Sequence, residues 1–298
     1  MIQIRAFSGW DDLRAMQAVC SARLLASPGR AAAHPGDIAW WAGWPPRSVD
    51  ELAEMFLLWE DAGEVIGFAS YSQEEGDFSV FALPAFTDSE ASIEFEEAAL
   101  AWASRGDAPV RWIEFEDESA AVERWHGRGY RPLPGGIMNL TRSLDDVIGE
   151  GSGDDRVRAV GDDDVEGRAS VTHAAFGSDK PFEDYASDYA GFRSSPAYPH
   201  GWDLLLRDDD GRAAACCIAW IDPVSRAGTF EPVATHPDLH RRGFGRALLL
   251  DGLRRFAAAG MTYAIVGAVV ANPRAEALYR SVGFGPDRLL REYERPDG

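Results

Sequence analysis

The segment His236-Pro237-Asp238-Leu239-His240-Arg241-Arg242-Gly243-Phe244-Gly245-Arg246-Ala247 gathers two glycines and three arginines at one turn. The residues before it read as a strand. Those after it, Gly245 to Ala259, carry apolar positions at helical spacing. A strand-to-helix turn of this composition suits a pyrophosphate. Glycines let the backbone approach a ligand, and the helix N-terminus adds unpaired N–H donors and a partial positive charge. Arg241, Arg242 and Arg246 supply cationic contacts. Taken alone, the Gly-x-Gly pattern would serve a helix cap equally well. Just upstream, Glu231 stands among the apolar Phe230, Pro232 and Val233, an odd setting for a solvated strand glutamate.

Other reactive residue types read more quietly. Cys216 and Cys217 lie in an apolar strand run and are expected in the core, one on each face; a cysteine nucleophile is the weaker alternative. The six histidines show no metal-ligand spacing, so no metal is expected. His236 and His240 flank a proline turn and read as local hydrogen-bonders. His34-Pro35-Gly36-Asp37 precedes Trp40, Trp41 and Trp44. Packing is the first reading of this aromatic cluster, and a wall for a cationic or sugar-like substrate the second.

These residues sit in a chain of 298, long enough for two domains. With 46% hydrophobic and 26% charged residues, it reads as soluble and globular rather than disordered. Three cysteines are too few to staple it, which points to a reducing, cytoplasmic compartment. The first residues lack the apolar run of a signal peptide. The longest uncharged stretch, Phe256 to Pro273, is broken by glycines, Asn272 and Pro273, and falls short of the roughly 20 apolar residues a bilayer demands. No membrane segment is expected.

Net charge is −20, unevenly spread. Residues 231–298 carry 10 Arg and 8 acids, a net of +2, which leaves −22 on the first 230. An acidic body repels nucleic acid and attracts cations, while the last segment can hold an anion. Solubility alone would explain the acidity equally well.

The chain also reads as two copies of one unit. The Gly/Ser-rich, acidic stretch 147–156 reads as a linker between residues 1–146 and 157–298. Gly63 to Tyr71 corresponds to Gly211 to Trp220, and Gly76 to Pro84 to Gly228 to Pro237. The helical patterns Ile93 to Ala103 and Gly245 to Ala259 follow, and the pairs Gly129-Tyr130 and Gly283-Phe284 close the copies. The predicted fold is α/β: two tandem units, each a mixed, mostly antiparallel sheet flanked by helices.

Arg242-Gly243-Phe244-Gly245, together with Asn272-Pro273-Arg274-Ala275-Glu276-Ala277-Leu278-Tyr279 ahead of Gly283-Phe284, resembles the two signatures of the GNAT superfamily of N-acetyltransferases. His240 departs from that family's usual Gln or Arg. The resemblance covers most of residues 157–298 and implies acetyl-CoA as co-substrate. Its pyrophosphate would lie on Arg241, Arg242, Gly243, Phe244, Gly245, Arg246 and Ala247. Its pantetheine arm would lie along Val233, Ala234 and Thr235, with Asn272 facing the thiol arm. Glu231 is then the general base and Tyr279 the acid that protonates the leaving thiolate. The first copy places Asp88, Glu90 and Ser92 opposite Arg241, Gly243 and Gly245, and reads as a non-catalytic copy that buttresses the other or walls its substrate pocket.

The expected reaction is acetyl transfer to a primary amine of a small, cationic molecule, antibiotic- or amino-sugar-like, with no nucleic-acid or membrane partner. Chains of this tandem kind resemble mycothiol synthase and some antibiotic-modifying acetyltransferases. An acyl-CoA sensor without turnover and a protein acetyltransferase are the alternatives. The acceptor pocket is expected from residues 176–200 and part of the first copy. Neither the acceptor nor the oligomeric state is legible.

Overall fold

The structure is a computed structural model that describes residues 3–30, 32–87, 89–106, 108–145 and 154–296. In chain order its elements are β1 (Gln3–Ala6), α1 (Trp10–Ala26), α2 (Pro35–Gly43), α3 (Val49–Met55), β2 (Phe56–Asp61), β3 (Glu64–Tyr71), β4 (Asp77–Ala82), α4 (Glu90–Ala103), β5 (Arg111–Phe115), α5 (Ser119–Gly127), β6 (Arg131–Pro132) and β7 (Ile137–Ser143). The second half repeats the pattern: β8 (Val157–Ala159), α6 (Val165–Phe176), α7 (Phe182–Arg193), β9 (Asp203–Arg207), β10 (Ala213–Asp222), β11 (Ala227–Thr235), α8 (Phe244–Ala258), β12 (Tyr263–Val269), α9 (Pro273–Ser281) and β13 (Gly285–Glu294). Most of the expected linker, residues 147–153, lies outside the described residues, as does Asp88. Among the described residues no helix is long and apolar enough to cross a membrane.

The strands join in one sheet of order β1-β2-β3-β4-β5-β13-β7-β12-β11-β10-β9-β8, with β6 beside β13. Read inward from either end, each half contributes five strands in sequence order. The sixth position is then filled by the other half: β13 pairs with β5, and β7 with β12. The two exchanged strands pair with each other at the centre. The sequence-level division at residues 147–156 thus marks where the repeat begins again, while three pairings along that strand order cross it.

Side chains lock this seam. The Arg288 guanidinium lies 3.9 Å from the centre of the Phe115 ring and donates to Asp117 and Glu118. Arg291 reaches Glu116 at 2.6 Å. The halves also share a core, in which Phe56, Phe68 and Phe81 meet Tyr189, Phe192 and Trp220.

Among the described residues only β4–β5 and β11–β12 are parallel, and both pairings are brief. β11 pairs with β12 only from Ala227 to Thr229, and its remaining residues, Phe230 to Thr235, keep β10 alone. Beyond Thr229 the sheet opens as a wedge, leaving backbone N–H and C=O groups of β11 on the open side.

Candidate functional site

The predicted anion loop lies at the end of that opened strand. Thr235 ends β11, and the His240 ring donates through Nε2 to the Thr235 carbonyl at 3.0 Å. His240 therefore fastens the turn to the strand. Arg241 and Gly243 then adopt left-handed backbone, φ 63° and 84°, and α8 begins at Phe244. No side chain caps α8 and no acid occupies its first turn, so its leading N–H groups point into the turn without a protein partner. Arg241, Arg242 and Arg246 are exposed, and among the described residues none of them is ion-paired. The Arg242 guanidinium instead lies over the Phe244 ring at 5.2 Å.

Gly245 is a matter of space. A Cβ there would sit 2.9 Å from Thr235 Oγ1 and 3.2 Å from Leu278 Cδ2. The start of α8, the end of β11 and the middle of α9 therefore meet at one point. The matching N-terminus in the first half is closed: Ser89 caps α4 by accepting the Ser92 N–H at 3.1 Å, and Glu90 occupies its first turn.

Glu231 lies on β11 just past the last β12 pairing, half-buried, at the wall of a cavity of about 500 Å³. The Trp220 indole N–H donates to its backbone carbonyl at 2.7 Å. Burial, with a smaller contribution from the charge of Asp37, pushes the Glu231 carboxyl up to about 8. Tyr279, on α9, is 6% exposed. Its phenol is raised above the ordinary value by burial, then by the charges of Glu231 and Cys217. Glu231 and Tyr279 are therefore within electrostatic reach of each other at the wedge.

The opposite wall comes from the first half. Trp40 and Trp41 on α2 and Trp44 just after it line the cavity with Asp37. Trp40 and Trp44 stack with centroids 5.4 Å apart, and Trp44 meets Tyr185 edge-on at 5.1 Å. At the other end lie Glu74, Glu75 and Asp77. Burial and the neighbouring Glu75 and Glu292 raise Asp77 to about 6. The aromatic cluster is thus both packing and wall.

Residues 170–284 match the model of the acetyltransferase (GNAT) family. The match is confined to the second half of the chain. It is 28% identical over 177 residues to a mycothiol acetyltransferase from Clavibacter michiganensis subsp. michiganensis (strain NCPPB 382), covering 59% of this chain. The chain spans about half the length of that curated relative, 52%. A tandem GNAT protein from the clavulanic acid biosynthesis pathway superposes over 100% of both chains with TM-score 0.68 at 13% identity. A GCN5-related N-acetyltransferase from Sphaerobacter thermophilus does so over 100% of this chain and 96% of its own, with TM-score 0.59 at 18% identity. The tandem α/β GNAT fold is the one the sequence predicts.

In this half, Val233, Ala234 and Thr235 lie on the open stretch of β11, and Ala247 closes the first turn of α8 on the Gly243 carbonyl at 2.9 Å. Asn272 caps α9, its Oδ1 accepting the Ala275 N–H at 3.2 Å. That leaves its side-chain amide N–H2 for a ligand.

No cavity-lining residue comes from 176–200; α7 instead backs the tryptophans through Tyr185 and Phe192. Asp203 and Asp222, two acids at strand ends of the same half, are spoken for. Asp203 is 1% exposed, pairs with Arg168 at 2.9 Å and accepts from the Tyr189 hydroxyl at 2.7 Å. Asp222 caps its own turn by accepting from Val224 and Ser225. Cys216 and Cys217 are fully buried in separate clusters, and burial pushes the Cys216 thiol up to about 12, which excludes a ready thiolate.

Sequence reasoning set Asp37 beside the tryptophan cluster without a role of its own. The signal was present: His34-Pro35-Gly36-Asp37 is a capping box with proline at the first helical position, which fixes how α2 enters the fold.

Proposed function

We propose that the protein transfers an acetyl group from acetyl-CoA to a primary amine of a small, cationic molecule, through the second half alone. The carrying observation is the uncapped N-terminus of α8 at the end of the open β11, with Glu231 one strand-length away in a cavity. The residues present fit the co-substrate: free α8 amides and three unpaired arginines for a pyrophosphate, and an unpaired strand edge for an amide-bearing arm.

Acetyl-CoA, when bound, supplies an acetyl group activated as a thioester. The Glu231 carboxylate takes a proton from the acceptor's ammonium and frees the amine lone pair. N–H groups along Val233 to Thr235 orient the acyl carbonyl and polarise it. The Tyr279 hydroxyl hands its proton to the departing sulfur; a raised phenol still protonates a thiolate that would otherwise leave charged into a buried site. The closed α4 terminus makes the first half non-catalytic, its part being to wall the cavity. The three cysteines are free thiols, which fits a cytoplasmic setting.

A CoA-release assay over simple amines, aminoglycosides and amino-sugar thiols tests the reading; no release with any of them, at intact acetyl-CoA binding, would favour an acyl-CoA sensor. A mycothiol-type acceptor is the second reading, favoured by the similarity to a mycothiol acetyltransferase. Tyr279→Phe is expected to lower turnover by about 10–100-fold with acetyl-CoA affinity held, measured by steady-state kinetics and calorimetry. Unchanged turnover would return Tyr279 to a packing role.

Charge gives a further expectation. Asp37, Glu74, Glu75, Asp77 and Glu231 line the cavity, against Arg47, whose guanidinium is held by the Trp41 and Trp44 carbonyls. Catalytic efficiency for di- and triamines should exceed that for matched monoamines, and should fall with salt as the Debye length shrinks from about 10 Å at 0.1 M to about 3 Å at 1 M. Equal, salt-insensitive efficiencies would leave the acidity to solubility.

A further inference from the structure

The first turn of α2 is fastened to the β10–β11 hairpin of the other half at two places. His34, the N-cap of α2, accepts the Gly36 N–H on Nδ1 at 2.9 Å, so its Nε2–H faces the Ala227 carbonyl at 3.3 Å, where β11 begins. The Gly36 backbone lies directly on the Trp220 indole; a Cβ there would come within 2.3 Å of Trp220 Cγ. That same indole donates to the Glu231 carbonyl. His34 is 2% exposed, and burial pulls it down to about 4, so this link is a neutral ring that holds across the working pH range. The next residue on the turn, Asp37, uses one oxygen to accept the His34 N–H at 2.7 Å and lines the same cavity as Glu231.

We propose that Asp37, supplied by the non-catalytic half, is a positioning residue of the reaction that acts through Glu231: it sets a second carboxylate against the base, so that the pair receives the acceptor's proton and accompanies its positive charge. This rests on the acetyl-transfer reading above. Two carboxylates in one partly dry cavity do not ionise together, because the first charge opposes the second. Asp37, raised by burial to about 6, ionises ahead of Glu231, at about 8. Between those values the pair holds one proton and one negative charge, which suits an incoming ammonium. The other charged or titratable groups around the base are Arg47 after α2, Glu74, Glu75 and Asp77 from the β3–β4 hairpin, and Tyr279 from α9. His34 is neutral and Cys217 a buried thiol. Of these groups, only Asp37 is tied to the strand that carries Glu231.

The test needs no known acceptor. Trp40, Trp41 and Trp44 line the cavity and Trp220 touches Glu231, so tryptophan fluorescence of the full-length protein is titrated from pH 5 to 10. A transition near pH 8 that is absent in Glu231→Gln reports the base. In Asp37→Asn, which keeps an oxygen for the His34 N–H, that transition should move down by about one unit, since a neighbouring like charge has gone. Asp37→Ala should move it equally. If Asn restores the wild-type midpoint where Ala does not, Asp37 only caps the helix and the proposal fails. A midpoint unmoved in both variants also overturns it. The acid limb of kcat/KM for 1,4-diaminobutane, followed by CoA release, should shift in parallel. An unmoved limb beside an inactive Glu231→Gln would sink the role of Asp37 alone. A fully active Glu231→Gln would sink the acetyl-transfer mechanism itself.

Discussion

Glu231→Gln should lower turnover by about 10²–10⁴-fold, the range of a lost general base, while acetyl-CoA affinity stays within a factor of about two. The wild-type kcat/KM should rise with pH through about 8, where the raised Glu231 carboxyl loses its proton, and the variant should lose this limb. Stability should move the other way. In the unfolded chain Glu231 ionises near the ordinary carboxylate value; in the folded protein it stays protonated to about 8. The native state therefore holds the extra proton, and stability attributable to this side chain falls as pH climbs from about 4.5 to 8. Gln carries no such penalty, so the variant should melt at a higher temperature than wild type at pH 8–9, with the gap closing towards pH 5. Thermal scans and steady-state kinetics on the same preparations check both halves. If the variant keeps wild-type turnover, bulk water or another cavity group becomes the base; Asp203 and Asp222 are too fully engaged to take over.

Gly245→Asp and Gly243→Asp should each abolish acetyl-CoA binding, read by calorimetry as a loss of at least about 100-fold. The two fail for different reasons. At position 245 the new Cβ meets Thr235 and Leu278, so the junction of β11, α8 and α9 must open. At position 243 there is open space but a left-handed backbone, φ 84°, which costs an L-residue about 1–2 kcal/mol and puts a negative charge where the phosphates belong. Gly243→Ala separates strain from charge and should bind weakly rather than not at all. Wild-type protein should bind one acetyl-CoA per chain, because the equivalent helix start at Ser89 is already capped. Two sites per chain would overturn the asymmetry between the halves.

The candidate anion loop is read from local determinants: Gly243, Gly245 and their arginines fall within six residues of one another. The repeat was legible for the same reason, since strand and helix periods recur along the chain. The acceptor cavity was not. Its tryptophans and Asp37 meet Glu231 only through contacts such as His34 to Ala227, 193 residues apart. No pattern near Glu231 announces them, and the segment expected to line the pocket stands behind the tryptophans instead. The strand exchange was equally hidden. β7 and β13 occupy equivalent places in the two copies, and either could close β5 or β12. Pairings such as Arg288 with Asp117 and Glu118 decide the matter, and they join residues 171 and 170 positions apart.

The exchanged strands bear on how the chain is made. Arg291 and Glu116, partners across the seam, are separated by 175 residues. At ribosomal speeds of about 5–20 residues per second, the flank of β5 waits about 10–35 s for the strand that covers it. Throughout that interval the nascent chain presents a naked strand edge, the kind of surface that recruits other chains. The open flank of β5 is covered only once β13 has been made. The strand exchange thus turns the delay between the two halves into an interval in which this edge stands uncovered.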